Sequence, residues 1–118
     1  MSHSIAIVDD EPDSVQLFND ILSTNGYNVI GFTNPLLALE HVKENHEEYD
    51  LILSDYKMTP INGCDLAKKI AEVNPSITII IITAANDIGN NPLQLQVYFK
   101  PLIMNKLIEI VKKNISSV

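Results

Sequence analysis

Residues 76–83 read Ser-Ile-Thr-Ile-Ile-Ile-Ile-Thr, and five of these eight residues are isoleucine. β-Branched residues favour strands, and an apolar run without alternation is typical of a strand that is buried on both faces. Pro75 precedes the run, and a segment rich in turn-forming residues follows it. We therefore predict that residues 76–83 form the central strand of a sheet that helices cover on both sides.

Four further stretches have the length and composition of strands, with helical patterns between them. The predicted strands are 4–8, 27–32, 50–54 and 94–99, and the helices begin near Pro12, at Asn34-Pro35, near Cys64 and after Pro101. Strands that alternate with helices predict a parallel sheet. The predicted fold is a single-domain, doubly wound α/β sheet of five strands, flavodoxin-like, in the order 2-1-3-4-5. Residues 84–92 predict a fourth helix that is short or irregular.

Composition excludes several classes of function. The chain has 118 residues, 15 acidic and 8 basic, with a net charge of −7, and every basic residue is lysine. An acidic chain without arginine is a poor ligand for nucleic acid or an anionic membrane. A single cysteine excludes an internal disulfide and a cysteine-based zinc cluster. The N-terminal residues lack the pattern of a signal peptide, so a cytoplasmic location is expected.

Acidic residues follow two of the predicted strands. Asp9 and Asp10 come after the first strand, and Asp55 follows the third. The carboxyl ends of parallel strands meet at one edge of the sheet, where ligands of open α/β sheets bind. Three crowded carboxylates repel one another, and Mg²⁺, which prefers oxygen ligands, removes this repulsion. Thr83 and Lys100 end the fourth and fifth strands, and together the five side chains suit formation and hydrolysis of an aspartyl phosphate.

The chain resembles the receiver domains of response regulators in two-component signalling, and is similar to the chemotaxis receivers. Four blocks carry the resemblance: Val8-Asp9-Asp10-Glu11, the loop 55–63 from Asp55 to Gly63, Thr83-Ala84 and Lys100-Pro101. Each block alone is a weak signal, but together they fall at one predicted edge. The resemblance implies one receiver domain over residues 1–118.

The resemblance also implies a role for each site residue. Asp55 would be the phosphoacceptor, Thr83 would hydrogen-bond the phosphoryl group, and Lys100 would pair with its charge. Asp10 would bind Mg²⁺ directly, Asp9 directly or through water, and Asp55 and the backbone carbonyl of Lys57 would complete the metal ligands. The Lys100–Pro101 bond would be cis.

The implied function is a switch in two-component signal transduction. A sensor histidine kinase would phosphorylate Asp55, slow self-hydrolysis would remove the group, and an unknown downstream protein would respond, with a phosphorylation-dependent dimer left open. Such a protein catalyses its own phosphorylation without being a multiple-turnover enzyme. Two alternatives are a degenerate receiver that acts as a constitutive interaction module, and a small Mg²⁺-dependent phosphatase.

Three departures from the family pattern bear on the switch. Thr59 stands where family members usually have proline, and Pro60 follows it. Val97 occupies the position of a switch aromatic, and alternation along the strand turns the neighbouring Tyr98 to the opposite face. Residues 84–99 form a shorter connection between Thr83 and Lys100 than is usual. The expected consequence is an intact phosphorylation site beside a remodelled signalling surface.

Overall fold

The computed structural model describes residues 4–85, 88–89, 91 and 93–115. Its strands are β1 (Ser4–Val8), β2 (Asn28–Phe32), β3 (Tyr49–Ser54), β4 (Thr78–Thr83) and β5 (Gln96–Phe99). Its helices are α1 (Pro12–Thr24), α2 (Pro35–Glu44), α3 (Gly63–Val73) and α4 (Met104–Asn114), with a 3₁₀ turn at His46–Glu48. Within the described ranges, no helix has the length and apolar character needed to cross a bilayer.

The five strands form one parallel sheet in the order β2-β1-β3-β4-β5, which confirms the predicted fold and strand order. β1 and β3 lie side by side although they are not consecutive in the chain, so the strand order reverses between them. Val8 at the end of β1 is paired with Ser54 at the end of β3. This pairing brings the residues that follow the two strands to the same point of the sheet edge.

Alternation along the buried strands divides the core into two apolar layers. Ile79 of β4 packs with α2 and α3 on one face, whereas Ile80 and Ile82 pack with α1 and α4 on the other. Ile80 is completely buried, as expected for the central isoleucine-rich strand. The two layers hold β4 rigidly between the helices. The carboxyl edge of the sheet, where β4 ends, is therefore fixed in position.

The connection from β4 to β5 has no helix in its described part, residues 84–85, 88–89, 91 and 93–95. This agrees with the predicted short or irregular helix, although residues 86, 87, 90 and 92 of that prediction lie outside the described residues. The Asn91 side chain accepts a hydrogen bond from the Leu95 N–H and donates one to the Leu95 carbonyl, both at 3.1 Å. Gln94 has a φ of 54°, so β5 begins two residues later than predicted.

Ile103, an apolar residue shortly after Pro101, does not join the buried face of the last helix. Ile103 is 70% exposed and precedes the first residue of α4, Met104. Leu107 and Ile110 form the buried face of the helix instead. The apolar pattern placed the helix start too early because the residues after Pro101 are extended, with ψ of 156° at Ile103.

Tyr49 at the start of β3 is buried and shares a 2.8 Å hydrogen bond with His41 Nδ1. Burial and the charge of Glu48 raise the pKa of Tyr49 to about 12. Because the folded state favours the neutral phenol, the resulting stabilisation is complete below about pH 10 and is lost as the pH rises through about 12.

Tyr49→Phe should lower the stability of the protein by about 1 kcal/mol at neutral pH, because it removes the hydrogen bond to His41.

The same substitution should change the alkaline limb of the stability curve. Between about pH 10 and 12 wild type should lose more stability than the initial difference of about 1 kcal/mol from Tyr49→Phe, so that the two curves converge and then cross. Urea unfolding of both proteins at matched pH measures this difference, and the other tyrosines and the lysines cancel in the comparison. Parallel curves across that interval would contradict the assignment.

Candidate functional site

Four site residues lie at the carboxyl edge of the sheet, where backbone hydrogen bonds continue one residue past β1, β3 and β5. The Asp9 N–H donates to the Phe32 carbonyl at 3.1 Å, and the Asp55 N–H donates to the Val8 carbonyl at 2.9 Å. The Lys100 N–H donates to the Thr83 carbonyl at 2.8 Å. The sheet itself therefore positions Asp9, Asp55, Thr83 and Lys100, as the sequence predicted.

Asp10 completes a cluster of carboxylates at this edge. One carboxylate oxygen from each of Asp9, Asp10 and Asp55 lies within 4.8 Å of the other two. Asp9 is buried, Asp55 is half-buried and Asp10 is exposed. The Asp9 Oδ1 accepts from the Glu11 N–H at 3.0 Å, and the Asp55 Oδ1 accepts from the Tyr56 N–H at 2.7 Å. One oxygen of each of these two carboxylates is thus held by backbone, which orients the other one.

Lys100 faces the second oxygens of the two oriented carboxylates. Its Nζ lies 2.6 Å from Asp9 Oδ2 and 3.4 Å from Asp55 Oδ2. Burial alone lowers the pKa of Lys100, but the hydrogen bond and charge of Asp9, with the charge of Asp55, outweigh burial and raise it above its ordinary value. The ammonium therefore stays charged and offsets part of the repulsion between the carboxylates.

Thr83 is buried, with 1% of its surface exposed. Its Oγ1 accepts a hydrogen bond from the Ala85 N–H at 3.1 Å. This bond orients the hydroxyl and occupies an acceptor lone pair, whereas the O–H hydrogen donates to no other group in the described part of the chain. Thr83 is therefore able to donate to an oxygen that enters the site.

The loop from β3 to α3 closes over Asp55. The Gly63 N–H donates to the Tyr56 carbonyl at 2.8 Å, and the Asn62 side chain caps α3 by accepting from the Asp65 N–H at 2.8 Å. Lys57 lies exposed in this loop, two residues after Asp55. The loop from Asp55 to Gly63 therefore forms a closed turn of the expected length, although its proline, Pro60, comes one position later than is usual in receiver domains.

Two proline bonds next to site residues are cis. The Lys100–Pro101 bond is cis, as predicted, and the Thr59–Pro60 bond is cis as well. The Ser54 Oγ also donates to the Asp55 carbonyl at 2.8 Å, a contact that no periodic pattern indicated.

Val97 and Tyr98 lie on opposite faces of β5, as strand alternation predicted. The Tyr98 ring packs against the apolar layer shared with α1 and α4. Its hydroxyl donates to Gln96 Oε1 at 3.2 Å, and Lys106 Nζ lies 6.0 Å from the ring centroid. Tyr98 therefore does not replace an aromatic side chain at position 97.

The donor set fits a hard divalent cation. Three carboxylates supply oxygen ligands within a small radius, and no histidine or cysteine joins them among the described residues. Mg²⁺ prefers such oxygen ligands and keeps several waters, whereas Zn²⁺ sites are usually built with nitrogen or sulfur. The exposed Asp10 leaves the cluster open to solvent on one side, which gives a cation a path of entry.

The chain is similar in sequence to known proteins of one family. A sequence model of the response regulator receiver domain matches residues 5–112. Sporulation initiation phosphotransferase F of Bacillus subtilis (strain 168) is 30% identical over 118 residues, covering 96% of this chain and 94% of that protein. The transcriptional regulatory protein ZraR of Klebsiella oxytoca is 33% identical over 108 residues, which cover 87% of this chain and 24% of ZraR. The chain thus spans about a quarter of that regulator.

Solved structures agree with the sequence relatives. The crystal structure of response regulator protein TrrA from Thermotoga maritima, in complex with Mg²⁺-BeF, matches with a TM-score of 0.83 and 29% identity. The match covers 98% of this chain and 100% of that chain. The agreement extends over the whole sheet and its flanking helices.

Proposed function

This chain belongs to the response regulator receiver domain family of two-component systems, and on that premise we propose that Asp55 accepts a phosphoryl group from a sensor histidine kinase in a Mg²⁺-dependent reaction. The single observation that carries the proposal is the position of Lys100. Its ammonium lies between the free oxygens of Asp9 and Asp55, at 2.6 and 3.4 Å. A cation beside a carboxylate nucleophile suits transfer of a group that brings several negative oxygens.

Mg²⁺ would be held by carboxylate oxygens of Asp9, Asp10 and Asp55 and by the backbone carbonyl of Lys57. When bound, the ion supplies positive charge against the oxygens of the transferring group. The proximity of the three carboxylates supports this assignment, and so does the Mg²⁺-BeF complex of TrrA, a relative of the same family.

The chain's own groups would carry out the transfer. The Asp55 Oδ2 forms a bond to phosphorus as the bond from phosphorus to the donor's imidazole nitrogen breaks, and the electron pair of that bond stays on the imidazole. Lys100 donates N–H to one phosphoryl oxygen and the Thr83 hydroxyl donates to another. Oδ1 is engaged by the Tyr56 N–H at 2.7 Å, which favours Oδ2 as the attacking atom.

The acyl phosphate should be lost by self-hydrolysis within hours. Ala85, two residues past Thr83, is small and half-buried, so it leaves a path for water to the phosphorus. Lys57, two residues after Asp55, is long enough to narrow that path, which keeps hydrolysis slow. Decay of radiolabelled phosphate after removal of the donor measures the lifetime, and retention of the label for many hours in Mg²⁺ would contradict this prediction.

The proposed output is an altered interaction with a downstream protein. Phosphorylation-dependent dimerisation would be one form of this output. The predicted location is the cytoplasm. The alternative is a receiver that binds a partner constitutively. Val97 and the connection without a helix in its described part motivate that alternative. Equal affinity of a partner for the wild type and for Asp55→Ala would favour it over the switch.

A titration with Mg²⁺ and beryllium fluoride, followed by amide NMR, tests the phosphoacceptor proposal. The wild type should show saturable shifts at Asp55, Thr83 and Ala85 only when both components are present. Asp55→Ala should neither bind the analogue nor produce these shifts. A response that survives Asp55→Ala would place the site elsewhere and overturn the proposal.

A further inference from the structure

We infer that Tyr56 transmits phosphorylation of Asp55 to the segment before β5, in place of an aromatic side chain at position 97. The inference rests on the proposed function of Asp55. Tyr56 directly follows Asp55 and is half-buried, and its hydroxyl lies near Gly89 in the connection between β4 and β5. A Cβ built on Gly89 in that connection would lie 3.8 Å from the Tyr56 hydroxyl oxygen.

The first step of the relay is the hydrogen bond between the Tyr56 N–H and Asp55 Oδ1. At 2.7 Å this bond has the length of a charge-assisted bond to a carboxylate. Phosphorylation of Asp55 turns the carboxylate into an acyl phosphate, so Oδ1 becomes a neutral carbonyl oxygen. A bond to a neutral acceptor is longer and about half as strong, so the Tyr56 amide should move or turn toward a phosphoryl oxygen.

The second step follows from the rigid support on the other side of Tyr56. Its carbonyl accepts from the Gly63 N–H at 2.8 Å. Gly63 is itself confined, since a Cβ there would lie 2.3 Å from the Asp55 carbonyl oxygen and 2.9 Å from Ile81 Cδ1. Because the following peptide is fixed, a change at the Tyr56 amide must be taken up by its own dihedral angles and side chain.

The third step leads from Gly89 to β5. Gly89 has a φ of +64°, a conformation that glycine adopts without strain and that lets the backbone come close to the Tyr56 hydroxyl. Two residues further on, the Asn91 side chain pairs with both backbone groups of Leu95 at 3.1 Å. Leu95 packs against the apolar layer of α2 and α3 and directly precedes β5. A shift of Tyr56 would thus act on a connection whose later residues, Asn91 and Leu95, are tied to the start of β5.

The test compares amide shifts induced by Mg²⁺ with beryllium fluoride in wild type, Tyr56→Phe and Tyr56→Leu. Asp55 and Ala85 report the site, whereas Gly89 and Asn91 report the connection. Both pairs should respond in wild type. Tyr56→Leu keeps the backbone N–H that binds Asp55 Oδ1, so the site amides should still show saturable shifts, whereas the shifts of Gly89 and Asn91 should fall to less than half. Tyr56→Phe, which removes only the hydroxyl, should also reduce them.

Tyr98→Leu is the matched control. Tyr98 is also a half-buried tyrosine, but it packs against the apolar layer of α1 and α4, on the face of the sheet opposite to Leu95. Its Gly89 and Asn91 shifts should equal those of wild type. Undiminished shifts at Gly89 and Asn91 in both Tyr56 variants would overturn the inference while leaving Asp55 as phosphoacceptor. A wild type without any response at Asp55 would instead overturn the proposed function, and the relay with it.

Discussion

Replacing Gly63 with alanine should destabilise the protein by about 2–4 kcal/mol, a large effect for the addition of one methyl group. The new Cβ would lie 2.3 Å from the Asp55 carbonyl oxygen and 2.9 Å from Ile81 Cδ1. Backbone cannot yield as a flexible side chain does, so either α3 or the loop over Asp55 must shift. Alanine's better helix propensity recovers at most about 1 kcal/mol.

Gly26→Ala is the control for this prediction. A Cβ at Gly26 meets nothing within 4 Å, but the residue has a φ of +90°, so alanine there should cost only about 1–2 kcal/mol of backbone strain. Urea unfolding of the three proteins gives the comparison, with midpoints interpreted only if the m-values agree. Equal destabilisation by the two substitutions would show that close approach at Gly63 is not the limiting contact.

Substitution of Lys100 by glutamine should have opposite effects on phosphorylation and on metal binding. Removal of a preorganised donor from a developing negative charge typically lowers a rate by about 10²–10³-fold. The Mg²⁺ affinity should rise instead, because the ammonium lies 2.6 Å from Oδ2 of Asp9, one of the carboxylates proposed to hold the metal. Loss of a nearby like charge favours a cation by roughly 1 kcal/mol at a partly exposed site.

Lys106→Gln is the matched control for Lys100. Lys106 is an exposed lysine whose Nζ lies 3.4 Å from Glu109 on α4, so its removal should change neither quantity. Phosphorylation rates with acetyl phosphate and Mg²⁺ titrations by amide shift would be measured on the same samples. A Lys100→Gln variant with a wild-type rate, or with weaker Mg²⁺ binding, would contradict the role assigned to Lys100.

Much of the fold and of the site geometry followed from short-period patterns. The run of isoleucines predicted β4, and the acids placed after β1 and β3 predicted a carboxylate cluster, because parallel strands end at a common edge. The faces of Val97 and Tyr98 followed from strand alternation. These features depend on local periodicity and on one topological rule, which the sequence displays directly.

The features that escaped prediction depend on contacts between side chains and distant backbone. Three of the observed contacts are indicated by no periodic pattern in the sequence. They are the pairing of Asn91 with Leu95, the approach of Tyr56 to Gly89 and the hydrogen bond between His41 and Tyr49. Ile103 shows the limit of the apolar pattern, since it is apolar but precedes α4 and is exposed. The relay inferred for Tyr56 therefore could not be predicted from the sequence. Val97 did indicate that another relay is needed, because it occupies the position of the switch aromatic.

The central claim is that Asp55 receives the phosphoryl group, and mapping the modified residue tests it most directly. The protein would be incubated with acetyl phosphate with and without Mg²⁺, and the acyl phosphate located by peptide mass spectrometry after borohydride reduction. We predict one phosphoryl group per chain, on Asp55, formed only with Mg²⁺ and absent from Asp55→Asn. A label on another residue, or equal labelling of Asp55→Asn, would contradict the account.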